Sequence, residues 1–277
     1  LLPGHGRAPL PQPALRPGHA AIYQPPRERW PAVRALLPAR VPRHPAARAA
    51  RSWAPAPRCS GLGLLLGAAV VLWEPRGAEL LVPESVRQYV AQGRMWTDDI
   101  LSVAPPNSVA SGIATNNLTV TIATFALGML FGLGTLYMMV NNGVHIGAIA
   151  ALCTREGMGL GLLDFIAAHG PVELSIIVIA GAAGLMVGQA LIDPGELPRG
   201  QALALRGREA VKLVLGCAPF LALIGVVEGY VSPGSLFPTW VKAGLGLSLG
   251  TLFWVYLLRA GRTEAEATGA LPADSAS

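Results

Sequence analysis

The chain has 277 residues, with 21 Lys+Arg against 16 Asp+Glu for a net charge of +5; 13% of its residues are charged and 52% apolar. A soluble globular domain carries about 25% charged residues, so this composition, with a mean hydropathy of +0.47, excludes an ordinary water-soluble enzyme and points to a polytopic membrane protein. Cys59, Cys153 and Cys217 are odd in number and lack metal-ligand spacing, which leaves neither a disulfide framework nor a zinc ribbon.

Residues 1–58 hold ten arginines, one acid (Glu28) and thirteen of the 24 prolines, whereas residues 59–277 carry 11 − 15 = −4. Proline removes backbone donors and few apolar side chains are present to bury, so residues 1–58 are expected to be a disordered cytoplasmic arm. The sequence begins at Leu1 rather than Met, which raises the alternative of a fragment or a mis-framed stretch. The arm lacks aromatics at stacking spacing and adjoins an apolar segment, so anionic lipid or cytoplasmic retention is expected rather than nucleic acid.

Charge-free windows of about 20 residues mark spans, because the hydrocarbon core is ~30 Å thick and a helical residue rises ~1.5 Å. The first candidate, Cys59–Trp73, is apolar for only 15 residues and reads as a short anchor. An amphipathic helix with Val86, Tyr89, Val90 and Trp96 on its apolar side is expected to lie along the interface. Leu118–Val140 is free of charge and is expected to cross, followed by a marginal crossing or re-entrant piece within 143–163. Pro171–Ile192, Ala210–Val231, kinked at Pro219, and Trp240–Leu258 complete the set. The expected fold is an all-α polytopic transmembrane bundle of five or six spans, covering residues 59–258, with a disordered tail over 259–277.

Arginine and lysine cluster before Cys59, over 193–212 and after the last span, so these three regions are expected inside and the crossings even in number. Glycines at G-x-x-x-G spacing (Gly128/Gly132, Gly143/Gly147, Gly184/Gly188, Gly225/Gly229, Gly246/Gly250) are expected to serve helix contact. That contact is either packing within one bundle or association of two chains. Asn116 and Asn117, with Asn141 and Asn142, bracket Leu118–Val140 and are expected to cap helix ends.

Ionisable groups within apolar sequence are functional candidates. His169 and Glu173 are four residues apart, and Glu228 lies toward the same end of its own span, so the three could form one intramembrane polar site. The competing reading is structural: Gly170, Pro171 and Glu173 make a helix start, with the carboxylate at the positive end of the dipole. No catalytic constellation, metal motif or cofactor is expected.

Asn116-Asn117-Leu118, the run Phe125–Gly134, Asn142-Gly143 with Gly147, His169-Gly170 with Glu173-Leu174, Gly181–Leu185, Pro194-Gly195 and Glu228–Pro233 follow one another in an order that resembles the stage II sporulation protein M family, over roughly Met95–Val241. The resemblance implies a helical bacterial inner-membrane protein without known enzymatic activity. In spore formers, such proteins work with peptidoglycan-remodelling enzymes. The expected role is a scaffold or assembly partner of envelope or membrane proteins such as cell-wall hydrolases, with oligomers allowed and no nucleic acid. The alternatives are a transporter or permease-like subunit using His169, Glu173 and Glu228, and an intramembrane metalloenzyme using His169 and Glu173.

Overall fold

The computed structural model describes residues 54–74, 76–97, 106–233 and 236–267, and every regular element among them is helical. Most of the Pro/Arg-rich arm and the last ten residues lie outside that set. Helices α1 (Pro55–Trp73), α2 (Gly77–Leu81) and α3 (Glu84–Ala91) precede α4 (Pro106–Ala126). A short 3₁₀ turn, Leu127–Met129, leads to α5 (Leu133–Arg155), then α6 (Gly159–Ile166), α7 (Gly170–Ile192), α8 (Arg199–Tyr230) and α9 (Thr239–Ala267). Helices α1, α5, α7, α8 and α9 are each long and apolar enough to cross a membrane.

The expected single crossing Leu118–Val140 is corrected. The chain breaks inside it, and residues 143–152, expected as a marginal piece, are the second half of the full-length helix α5. The break is a conformational feature that hydropathy does not register, since Leu127 to Leu133 are all apolar or glycine. Phe131 has φ 53° and Gly132 φ 80°, a left-handed pair that ends one helix and turns the chain into the next. The amphipathic segment is also shorter than expected: α3 stops at Ala91, with Val90 and Met95 buried. At the other end, α9 continues past Leu258 to Ala267, so part of the expected tail is helical.

Helix α7 is the hub. In its most apolar window 67% of residues are buried, against 22–44% in the other four spans, and it contacts α1, α4, α5, α8 and α9. Val172, Ile176, Ile179 and Met186 from α7 pack with Leu213, Cys217, Leu221 and Ile224 from α8 and Phe253 and Leu257 from α9. Helix α8 runs unbroken through Pro219 for 32 residues, about 48 Å. Its first turns return to α7: Arg199 Nε donates to Leu191 O and Arg206 Nη1 to Asp193 O, both at 3.3 Å, cations at a helix C-terminus where they are favoured.

A second unit joins α1 to α5. A Cβ added at Gly63, Gly67, Gly143 or Gly147 would lie 2.2, 2.1, 2.2 or 2.0 Å from the carbonyl oxygen of Val140, Val144, Ser60 or Leu64. Backbone therefore meets backbone along a four-glycine seam, and dispersion and Cα–H···O contacts replace side-chain packing. Arg155 extends the seam by donating to Val71 O at 3.2 Å. The pairing rises in register along both helices, so α1 and α5 are parallel. Gly128 and Gly132 meet Gly184 and Gly188 in the same backbone-close manner, which seats the α4–α5 corner on α7. Gly246 would place a Cβ 2.0 Å from Ala167 O, so this pattern too is used within the chain.

Candidate functional site

Two helix ends converge where the first turn of α7 meets the last turn of α8. Gly170 and Pro171 start α7 behind His169, and Glu173 occupies its first turn. Glu228 lies in the last turn of α8, which ends at Tyr230, and Ser232 follows in the turn. His169 Nε2 lies 3.7 Å from Glu173 Oε2 and 3.8 Å from Glu228 Oε1. One donor atom from each residue falls within 4.8 Å of the other two. The three candidates read from the sequence are thus brought together.

The cluster is held from outside. Ser232 Oγ is 2.9 Å from His169 Nδ1, which turns Nε2 toward both carboxylates. Phe165 packs its ring at a steep angle to the imidazole, with centroids 5.2 Å apart. Asn117 Nδ2 donates to Glu228 Oε2 at 3.3 Å, leaving Oε1 directed at the histidine. Asn117 and Asn116 lie inside α4, and Asn142 lies inside α5, so none of the three caps a helix end. The side-chain amide nitrogen of Asn142 is buried without a hydrogen-bond partner among the described residues.

Behind Ser232 is a support that the sequence reading missed. Lys242, fully buried in α9, donates to Ser232 O at 3.0 Å and to Asp164 Oδ2 at 2.6 Å. Thr239 Oγ1 donates to Asp164 Oδ1 at 2.6 Å. Burial alone would raise the Asp164 pKa, but the hydrogen bonds from Lys242 and Thr239 and the lysine charge outweigh it and hold the carboxyl below its ordinary 3.8. This ion pair ties α6 to α9 and fixes the turn that carries the serine. Its only sequence signals are a lysine near a span end and an acid in a short apolar helix.

A cavity of about 240 Å³ opens onto the cluster, with His169, Glu173 and Glu228 on its polar side and Trp96, Ile146, Ile149, Leu162, Ile166 and Leu174 among its apolar walls. On the other side of the cluster the bundle is filled by Val172, Ile176 and Ile224. A polar group of this kind, enclosed by apolar helices long enough to cross a bilayer, defines a multi-pass helical membrane protein with a buried histidine–carboxylate centre. Residues 59–233 match the family described as Stage II sporulation protein M, and the chain belongs to that family. It is not a known enzyme family. No curated protein and no solved structure gives a match.

Proposed function

We propose that this chain is a non-enzymatic assembly partner in the bacterial inner membrane, serving envelope proteins that remodel peptidoglycan, with both termini on the cytoplasmic side. The observation that carries this reading is the closure of the bundle around the polar cluster. Below it, α7 meets the α4–α5 corner backbone to backbone at Gly128/Gly184 and Gly132/Gly188, and the space between α7, α8 and α9 is filled by apolar side chains. The cavity thus has one side, which suits a docking or anchoring device better than a conduit. Support for the sidedness comes from helix direction: α1 and α5 run one way, α7 and α9 the other, so Arg58, Arg199, Arg206, Arg208 and Arg259 gather at one end. Exposed Trp73 and Trp240 mark the opposite end, where an aromatic belt would meet the outer headgroups.

The test is crosslinking and recovery of the full chain from native membranes, beside His169→Ala/Glu173→Ala and Glu228→Gln proteins of equal abundance. Recovery of a cell-wall hydrolase or its membrane partner with the parent, lost with the variants, is the expected result. Recovery of neither would overturn the assembly reading. The permease reading retains one observation in its favour, three ionisable groups facing a cavity. Solute or ion flux in proteoliposomes, abolished by Glu228→Gln, would establish it instead.

A further inference from the structure

Two carboxylates and an imidazole nitrogen point at one another across a space that no hydrogen bond among the described residues fills. At 3.7 and 3.8 Å the contacts of His169 Nε2 with Glu173 and Glu228 are too long to be hydrogen bonds. The histidine side chain is 4% exposed and that of Glu228 10%. A buried donor or acceptor left unmatched costs about 1–3 kcal/mol, and more if charged. Two carboxylates this close within an apolar bundle remain ionised only with positive charge between them, and otherwise take up a proton.

We propose that His169 Nε2, Glu173 and Glu228 bind a divalent transition-metal ion of the zinc class. A tetrahedral ion with donors at about 2.0–2.2 Å sets those donors roughly 3.4 Å apart. The two histidine distances exceed that by only 3.7 − 3.4 and 3.8 − 3.4, a few tenths of an ångström, and all three donor atoms lie within 4.8 Å of one another, so an ion would draw the two carboxylates together by side-chain rotation. Charge then balances, because two carboxylates neutralise the dication beside an uncharged imidazole. One nitrogen and two oxygens suit zinc, manganese or iron(II), whereas calcium requires six to eight oxygens and copper(I) prefers sulfur. The surrounding bonds match what a ligand histidine needs: Ser232 on Nδ1 fixes the ring, and Asn117 holds the far oxygen of Glu228. The fourth position faces the cavity of about 240 Å³, leaving room for a water or a partner's donor group. The metal joins the start of α7 to the end of α8 and, through Asn117, to α4. This inference stands apart from the assembly reading, since metal is measured on the isolated chain.

The full chain is purified in detergent, stripped with a chelator, equilibrated with micromolar Zn²⁺, desalted and analysed for metal. A parallel sample takes Co²⁺ and is read by its visible absorption. The parent should hold one zinc per chain, and its cobalt spectrum should be that of a four- or five-coordinate site. Glu173→Gln and Glu228→Gln keep side-chain shape and should each lower retained zinc by about tenfold or more, while Glu156→Gln, an exposed acid paired with Arg155, should match the parent. Less than a tenth of an equivalent in the parent, or parent-like retention in Glu228→Gln, overturns the proposal. If the glutamine variants fail to fold by circular dichroism, the parent's stoichiometry and cobalt spectrum decide it.

Discussion

Replacing Gly67 with alanine tests the glycine seam directly. The added methyl would sit 2.1 Å from the Val144 carbonyl oxygen, where ordinary contact begins at 3.4 Å, so α1 and α5 must part locally by 3.4 − 2.1 = 1.3 Å. The obstacle is backbone, with no side chain to swing aside. Overpacking costs about 1–3 kcal/mol, and the rigid obstacle places Gly67→Ala toward the upper end. For a chain of this size each kilocalorie shifts the melting temperature by roughly 2–4 °C. Gly61 is the internal control, because on the same helix an added Cβ has nothing among the described residues within 4 Å. There alanine should be neutral or stabilise by up to about 1 kcal/mol. Gly147→Ala meets Leu64 O at 2.0 Å, and the same parting of the helices relieves both clashes. The double variant should therefore lose less than the sum of the singles. Thermal melting in detergent, followed by circular dichroism, reads all four variants against the parent. If Gly67→Ala melts with Gly61→Ala, the backbone-to-backbone contact is wrong.

The Asp164–Lys242 pair should be visible in pH dependence. The folded carboxyl titrates below 3.8, so its ionised form contributes stability above that value, and the contribution drains away as pH falls through the folded pKa. The melting difference between parent and Asp164→Asn should be full at neutral pH and shrink only at the acid end; a difference that does not change with pH would contradict the pairing. Lys242→Met strands Asp164 and should cost less than the about 3–5 kcal/mol of a fully buried pair, since the aspartate side chain is 31% exposed. Asp164→Asn/Lys242→Met should recover part of that loss in a double-mutant cycle, and strict additivity would show that the two do not interact. Gly132→Ala forces a methyl into φ 80° with Leu185 Cδ2 at 3.3 Å; a left-handed residue costs about 1–2 kcal/mol, and an unchanged melting temperature would argue against the α4–α5 corner.

The spans were legible because charge-free length is a physical requirement of the bilayer. That signal failed where a span had to be divided, and it read the first span as a short anchor from Cys59 although the helix begins at Pro55. Leu127 to Gly134 contains three glycines among apolar residues, and the spacing marked close contact without revealing that Gly132 would take a left-handed turn. The asparagines were misread for the same reason: placed at the ends of an assumed crossing they resembled caps, but with the break at 127–132 they fall inside helices. His169 and Glu173 were paired by their spacing, and Glu228 joined them as an isolated acid toward the same end. Asn117, Ser232, Lys242 and Asp164 could not be grouped with them from the sequence, because their contacts exist only once α4, α8 and α9 pack on α7 and α6 packs on α9. Gly63 and Gly67 carry the same four-residue spacing as Gly143 and Gly147. Their parallel pairing depends on the direction of α4, which brings the chain back between them.

That parallel pairing constrains the order in which the protein can be built. Gly63 meets a residue 140 − 63 = 77 positions later, and the partner face at Gly143 and Gly147 is synthesised only after α4 has returned across the bundle. Until then the Gly63/Gly67 face of α1 lacks the backbone partner it has in the finished bundle. A nascent chain halted before residue 147 therefore exposes a seam made for a close-fitting helix. Synthesis of α5 supplies the missing partner and closes the seam.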